Sequence, residues 1–179
     1  MCIRDSFSDI ERKLLRVTAE AHRRTGAPIV THTDEGALAL EQVEFLTGRG
    51  VAANRIALSH MDRRTDPGYH RAVAQTGAYL VYDAMTRISK GLDRASLELI
   101  VAMVESGHAG SLLVGGDISR QGYWHGYGGE PGLSFLMGRF RRELRAAGVT
   151  DDALSAIYER NAAALLAWSA VPANVEGIA

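Results

Sequence analysis

Two rhythms of apolar residues alternate along the chain. Over residues 7–25, Ile10, Leu14, Val17 and Ala21 return every three or four positions, which marks one face of a helix. Ser8 and Glu11 at its start form a capping-box pair, each side chain serving a free backbone N–H of the first turn. Gly26 and Pro28 stop it. A short run, Ile29-Val30-Thr31, then ends at His32. Leu40, Val43 and Leu46 mark a second helix, closed by Gly50. The next run, Ile56-Ala57-Leu58, ends at His60. Asp66-Pro67 supplies an N-cap followed by proline at the first helical position, and that helix stops at Gly77. Residues 78–82 form a third run, ending at Asp83, and Leu97, Ile100, Val101 and Val104 line a helix that stops near Gly107. Leu112-Leu113-Val114 leads into Gly115-Gly116-Asp117. A loop rich in glycine and aromatic residues, 121–132, precedes a helix carrying Leu133, Leu136, Met137, Phe140 and Leu144. Two further helical segments, 151–158 and 162–168, finish the pattern.

The four short runs begin near residues 29, 56, 78 and 111, the spacing of β-α units. Nearly all-apolar strands alternating with amphipathic helices predict an α/β fold, four parallel strands with covering helices.

Composition narrows the function classes. Of 179 residues, 46% are hydrophobic, and 20 basic residues balance 21 acidic ones, so the basic excess of a nucleic-acid binder is missing. A single cysteine, Cys2, excludes an internal disulfide, and no apolar run approaches the length of a membrane span. The expected compartment is the cytoplasm. The first six residues fit neither rhythm and read as an unmatched, foreign leader. The expected domain then runs over 7–169, with a tail over 170–179. Among the basic residues the only lysines are Lys13 and Lys90.

Chemistry gathers at the strand ends. His32, His60, Asp83 and Asp117 each close a predicted strand, and in parallel α/β folds that edge collects ligands and catalytic groups. Imidazole and carboxylate are natural ligands for a cation such as Zn²⁺. Each residue alone also has a plain structural reading: a hydrogen-bonded histidine, or an aspartate capping the next helix. The repetition at four strand ends points to one shared site. His22 and His70 sit on helices and read as surface groups, and His125 reads as an exposed loop residue. Gly126-Tyr127-Gly128-Gly129 lacks the context of a dinucleotide fingerprint, and Ser59-His60 lacks the glycines of a nucleophile elbow. The arginines at 139, 141, 142 and 145 read as the solvated face of a helix.

Thr31-His32-Thr33, Ser59-His60-Met61-Asp62 and Gly115-Gly116-Asp117-Ile118-Ser119-Arg120, followed by Tyr127-Gly128-Gly129, resemble the phosphotriesterase family of the amidohydrolase superfamily, its phosphotriesterase-related proteins above all. The resemblance covers nearly the whole chain, about residues 7–168. It implies a (β/α)8 barrel with a binuclear zinc centre, in which a metal-activated hydroxide hydrolyses an ester, lactone, phosphoester or amide of a small molecule. By the resemblance His32, His60 and Asp117 are metal ligands, and Asp117 is also the catalytic proton shuttle. Tyr82, Asp83, Arg87, Arg120 and Tyr127 fall where the family places substrate-binding residues, with Tyr123 and Trp124 in the same loops.

The departures are informative. The family's His-x-His pair occurs nowhere in the chain, and neither lysine lies at a strand end to serve as the bridging ligand. The family's C-terminal Asn-Pro reads Asn161-Ala162. Since such a barrel takes about 250 residues, the chain is expected to be the C-terminal half of a (β/α)8 barrel. Its metal centre would be incomplete, holding at most one Zn²⁺ weakly, and its exposed strand edges could pair two copies into a homodimer. The alternatives are a non-catalytic small-ligand-binding α/β module and an inactive fragment.

Overall fold

Four parallel strands stand side by side in chain order: β1 (Ile29–His32), β2 (Ile56–Ser59), β3 (Tyr79–Tyr82) and β4 (Leu112–Val114). The computed structural model describes residues 7–169, so the leader and tail expected over 1–6 and 170–179 lie outside the described residues. Helix α1 (Asp9–Thr25) precedes β1, and α2 (Ala39–Thr47), α3 (Pro67–Gln75) and α4 (Leu92–Glu105) fill the crossovers. After β4 a π-helical turn, Leu136–Phe140, runs into α5 (Arg141–Ala146). Then α6 (Asp151–Ser155) continues through a second such turn, Ala156–Arg160, into α7 (Asn161–Leu166). The sequence predicts two helical segments here. They join because no glycine or proline separates them and Asn161 keeps helical backbone angles.

The local signals act as expected. Ser8 and Glu11 form the capping box, with the Ser8 N–H donating to the Glu11 carboxylate at 2.8 Å. The Asp66 side chain caps α3 by accepting from the Tyr69 N–H, and Pro67 begins the helix.

Strand alternation divides the sheet into two faces. Ile29, Ile56, Leu58, Leu80, Tyr82 and Leu112 pack into the main core under the helices, with Leu46, Val73, Ile100 and Met103. The intervening residues Ala57, Tyr79, Val81 and Leu113 form a small second cluster with Ala162 and Leu165 of the C-terminal helix. Asn161 anchors that helix, its buried amide donating to the carbonyls of Ala109 and Leu112, both at 2.8 Å.

Helix α1 departs from expectation. Its predicted apolar face, Ile10, Leu14 and Val17, is 55–61% exposed, while Glu11, Leu15 and Ala19 are the buried positions. The stripe is amphipathic as read, but it faces past β1, an edge strand with no neighbour on that side among the described residues. Val30 of β1 is also largely exposed and lines one groove with Leu14. Beside them, Thr31 Oγ1 and Gln42 Oε1 are buried without hydrogen-bond partners.

Candidate active site

The site grows from the carboxyl ends of the strands. His32 is the last residue of β1, and its carbonyl accepts from the buried Gln42 side chain at 3.1 Å. On β2 the alternation of the strand would send the residue after Ser59 toward the helices. His60 instead takes a left-handed backbone with φ of 64°, which breaks that alternation. The His32 and His60 rings meet edge to face, 4.5 Å between centroids. His60 Nδ1 lies 2.7 Å from Asp83 Oδ1. A carboxylate there accepts the Nδ1–H, so Nε2 is the nitrogen left to meet a ligand. Burial pushes the Asp83 carboxyl up from its ordinary range, and the His60 hydrogen bond opposes that push. Burial, reinforced by the adjacent His60, holds His32 below the usual histidine range, so it is a neutral imidazole near pH 7.

Asp117, beyond β4, also has a left-handed backbone, with φ of 40°. Its Oδ2 accepts from the Arg87 guanidinium and more distantly from Arg63, at 3.5 Å. Arg87 donates a further bond to the Asp83 carbonyl at 3.2 Å. The result is a cleft of about 510 Å³ whose walls include His32, His60, Asp117, Tyr123 and four cationic groups: Arg63, Arg87, Lys90 and Arg120. Such a wall suits an anionic ligand.

The structure therefore brings His32, His60, Asp117, Arg87 and Arg120 to one cleft, with Asp83 bonded behind His60. It does not bring Tyr82 or Tyr127 there. Tyr82 is fully buried on the helix-facing side of the sheet, where its hydroxyl shares a hydrogen bond with His70 Nδ1. Residues 81 and 83 have one strand parity and Tyr82 the other, which is the physical reason. Tyr127 is 69% exposed in the loop after β4 and does not line the cleft. His70, expected at the surface, is wholly buried. The sequence reading assigns no site role to Arg63 and Lys90 on the wall, nor to the buried Asp62 and Ser96. Two of them had a signal: Asp62 closes the Ser59-His60-Met61-Asp62 motif, and Arg63 follows His60 by three residues in the same turn.

The donor set suits a metal in part. The His32 Nε2 is buried with no hydrogen-bond partner, and a neutral imidazole nitrogen in that state is a ready ligand. Among the described residues, however, no three His, Cys, Asp or Glu side chains stand close enough to hold an ion together. Asp117 is turned instead to the two arginines.

Comparison with known proteins places this geometry in context. The phosphotriesterase family matches residues 2–166. The phospho-furanose lactonase of Mycoplasmopsis synoviae is 32% identical over 165 residues, covering 89% of this chain and 47% of the relative. The phosphotriesterase homology protein of Escherichia coli is 27% identical, covering 87% of this chain and 53% of the relative. Among solved structures, a lactonase from Listeria monocytogenes superposes with a TM-score of 0.87 at 31% identity, over 95% of this chain and 53% of that one. The Escherichia coli phosphotriesterase homology protein, solved with phosphate in its active site, gives a TM-score of 0.88 at 25% identity, over 93% of this chain and 57% of that one. The chain thus spans about half the length of the relatives it matches. Its four strands and helices form part of a TIM-barrel architecture.

Proposed function

The chain belongs to the phosphotriesterase family, and from that premise we propose that it works as a metal-dependent hydrolase of a small, anionic ester or lactone. The observation that carries the reading is the paired His32 and His60 imidazoles at the foot of a cleft walled by Arg63, Arg87, Lys90 and Arg120. His32 and His60 would hold the cation, zinc by its affinity for imidazole, with Asp117 as third ligand once released from Arg87. A bound zinc supplies a water made acidic enough to attack at neutral pH. Asp83 fixes the His60 tautomer through the Nδ1–H hydrogen bond. Asp117, which lines the cleft, would take the proton of the attacking water once released from Arg87. Arg87 and Arg120 bind the substrate's anionic group. A phosphate-bearing lactone fits, and the Mycoplasmopsis relative is named for phospho-furanose lactones.

The metal centre in this chain is incomplete on this reading: the His-x-His pair and the bridging lysine are missing, and among the described residues no three His, Cys, Asp or Glu side chains stand together. A second copy seated on the open β1 and β4 edges would extend the ring of strand ends and cover the apolar flank of α1. The cytoplasm as compartment rests on the lone Cys2; no helix of the described residues is long and apolar enough to cross a membrane. One observation favours a second reading, a non-catalytic anion-binding module: Asp117 is already engaged by Arg87 and Arg63. Calorimetric titration with Zn²⁺ separates the two. Binding at one site per chain, lost in His32→Ala and His60→Ala, supports the hydrolase. Phosphate binding with no zinc uptake supports the module.

A further inference from the structure

Asp62 is not on the cleft wall, yet it is completely buried two residues after His60. Its carboxylate accepts three hydrogen bonds from elsewhere in the chain. The Asp83 N–H donates to Oδ1 at 3.1 Å, the Ala84 N–H to Oδ2 at 2.9 Å, and the Ser96 hydroxyl to Oδ2 at 2.5 Å. The first two donors are the backbone groups where the chain leaves β3, and Ser96 belongs to α4. One short turn after β2 therefore grips the segment after β3 by its backbone and braces the grip against a helix. The same segment sends the Asp83 side chain back to His60 Nδ1 at 2.7 Å. The circuit closes: His60 and Asp62 share one turn, Asp83 is gripped by one and bonded to the other.

We propose that Asp62 is a positioning residue for the His60 imidazole, acting through Asp83. This rests on the reading of His60 as a metal ligand. Burying a carboxylate is costly unless hydrogen bonds replace those of water, and these three donors offset part of that cost. An asparagine at 62 has one acceptor oxygen where the carboxylate has two. One of the two backbone N–H groups then faces an amide NH₂, and the segment must draw back from it. Asp83 shifts with its backbone, and the His60 ring loses the partner that fixes its tautomer. Support of this kind behind a metal ligand is worth about 10- to 100-fold in metal affinity.

The test uses the full chain in four forms: wild type, Asp62→Asn, Ser96→Ala and Leu99→Ala. Leu99 is a buried residue of the same helix as Ser96 that makes no hydrogen bond to Asp62, so its truncation destabilises without touching the circuit. Two readouts apply: zinc affinity by calorimetry, and the low-field proton resonance of the His60 Nδ1–H, assigned by its loss in His60→Gln. Asp62→Asn is expected to lower zinc affinity about tenfold or more and to displace or abolish the resonance. Leu99→Ala is expected to leave both as in wild type at a comparable loss of thermal stability. If Asp62→Asn does not fold, Ser96→Ala decides, with a smaller change in both readouts expected. A folded Asp62→Asn with wild-type affinity and resonance overturns the proposal. So does a Leu99→Ala variant that loses as much zinc affinity as Asp62→Asn, or, in the fallback, a Ser96→Ala variant unchanged in both. If wild type takes up no zinc, the metal reading fails and the resonance alone decides the role of Asp62.

Discussion

His70 should make the stability of this chain fall steeply with acid. Its ring is wholly buried, Nδ1 shares a hydrogen bond with the Tyr82 hydroxyl, and Nε2 has no partner. A second proton would place a charge in the core, where the backbone at Arg64 and Met61 and the Asp66 carboxylate offset only part of its burial cost. Burial accordingly moves the group from its ordinary 6.5 to about 4. Between those values the unfolded chain carries a proton that the folded chain refuses, so stability rises with pH across that interval. The contribution is complete above about pH 6.5 and is lost progressively as pH falls toward 4. At about 1.4 kcal/mol per pH unit, the loss amounts to about 3 kcal/mol. Urea denaturation of wild type and His70→Gln at several pH values from 7 to 4 isolates it, because other titrating groups are common to both chains. Glutamine should cost about 1 kcal/mol at pH 7 by disturbing the Tyr82 hydrogen bond. The two stability curves should then converge and cross as the pH drops. Parallel curves over the whole range would refute the assignment of a neutral, buried His70.

Asn161→Ala strips two buried carbonyls of their donor and should cost about 2–5 kcal/mol in chemical denaturation. Asp83→Asn should weaken zinc binding about 10- to 100-fold by calorimetry, since it loosens the tautomer lock on His60. Arg87→Met should weaken inorganic phosphate binding about tenfold in a phosphorus NMR titration, the loss of one charge-assisted contact. Light scattering during size exclusion should give the mass of two 19.3 kDa chains, and a stable monomer with both sheet edges open would count against the proposed pairing.

Much of this architecture is written in short-range signals. The βα spacing, the Ser8–Glu11 box and the Asp66-Pro67 start are local, and each forms as read. His32, His60 and Asp117 share a cleft because all parallel strands point one way, so a rule about strand ends suffices. What failed was direction across an element. Ile10, Leu14 and Val17 mark an apolar stripe, but periodicity carries no information about what lies opposite it. Tyr82 and Asp83 are neighbours and so face opposite sides of the strand, a constraint of period two that the resemblance does not carry. His70 reads as a surface group from its helix alone, whereas its ring packs against Tyr82, 12 residues away on β3. Asp62 and Ser96 meet over 34 residues of chain, and no local pattern announces such a pair.

The left-handed backbone at His60 and Asp117 sets stability against function at single positions. Glycine adopts that conformation freely, whereas a side chain there costs about 1 kcal/mol or more. A library of this chain screened for heat resistance alone should therefore drift toward glycine or asparagine at position 117, and at position 60 wherever the buried Asp83 finds another donor. Thermal selection would dismantle the cleft's chemistry while improving the scaffold, so any effort to harden this protein has to hold those two residues fixed and look for its gains elsewhere.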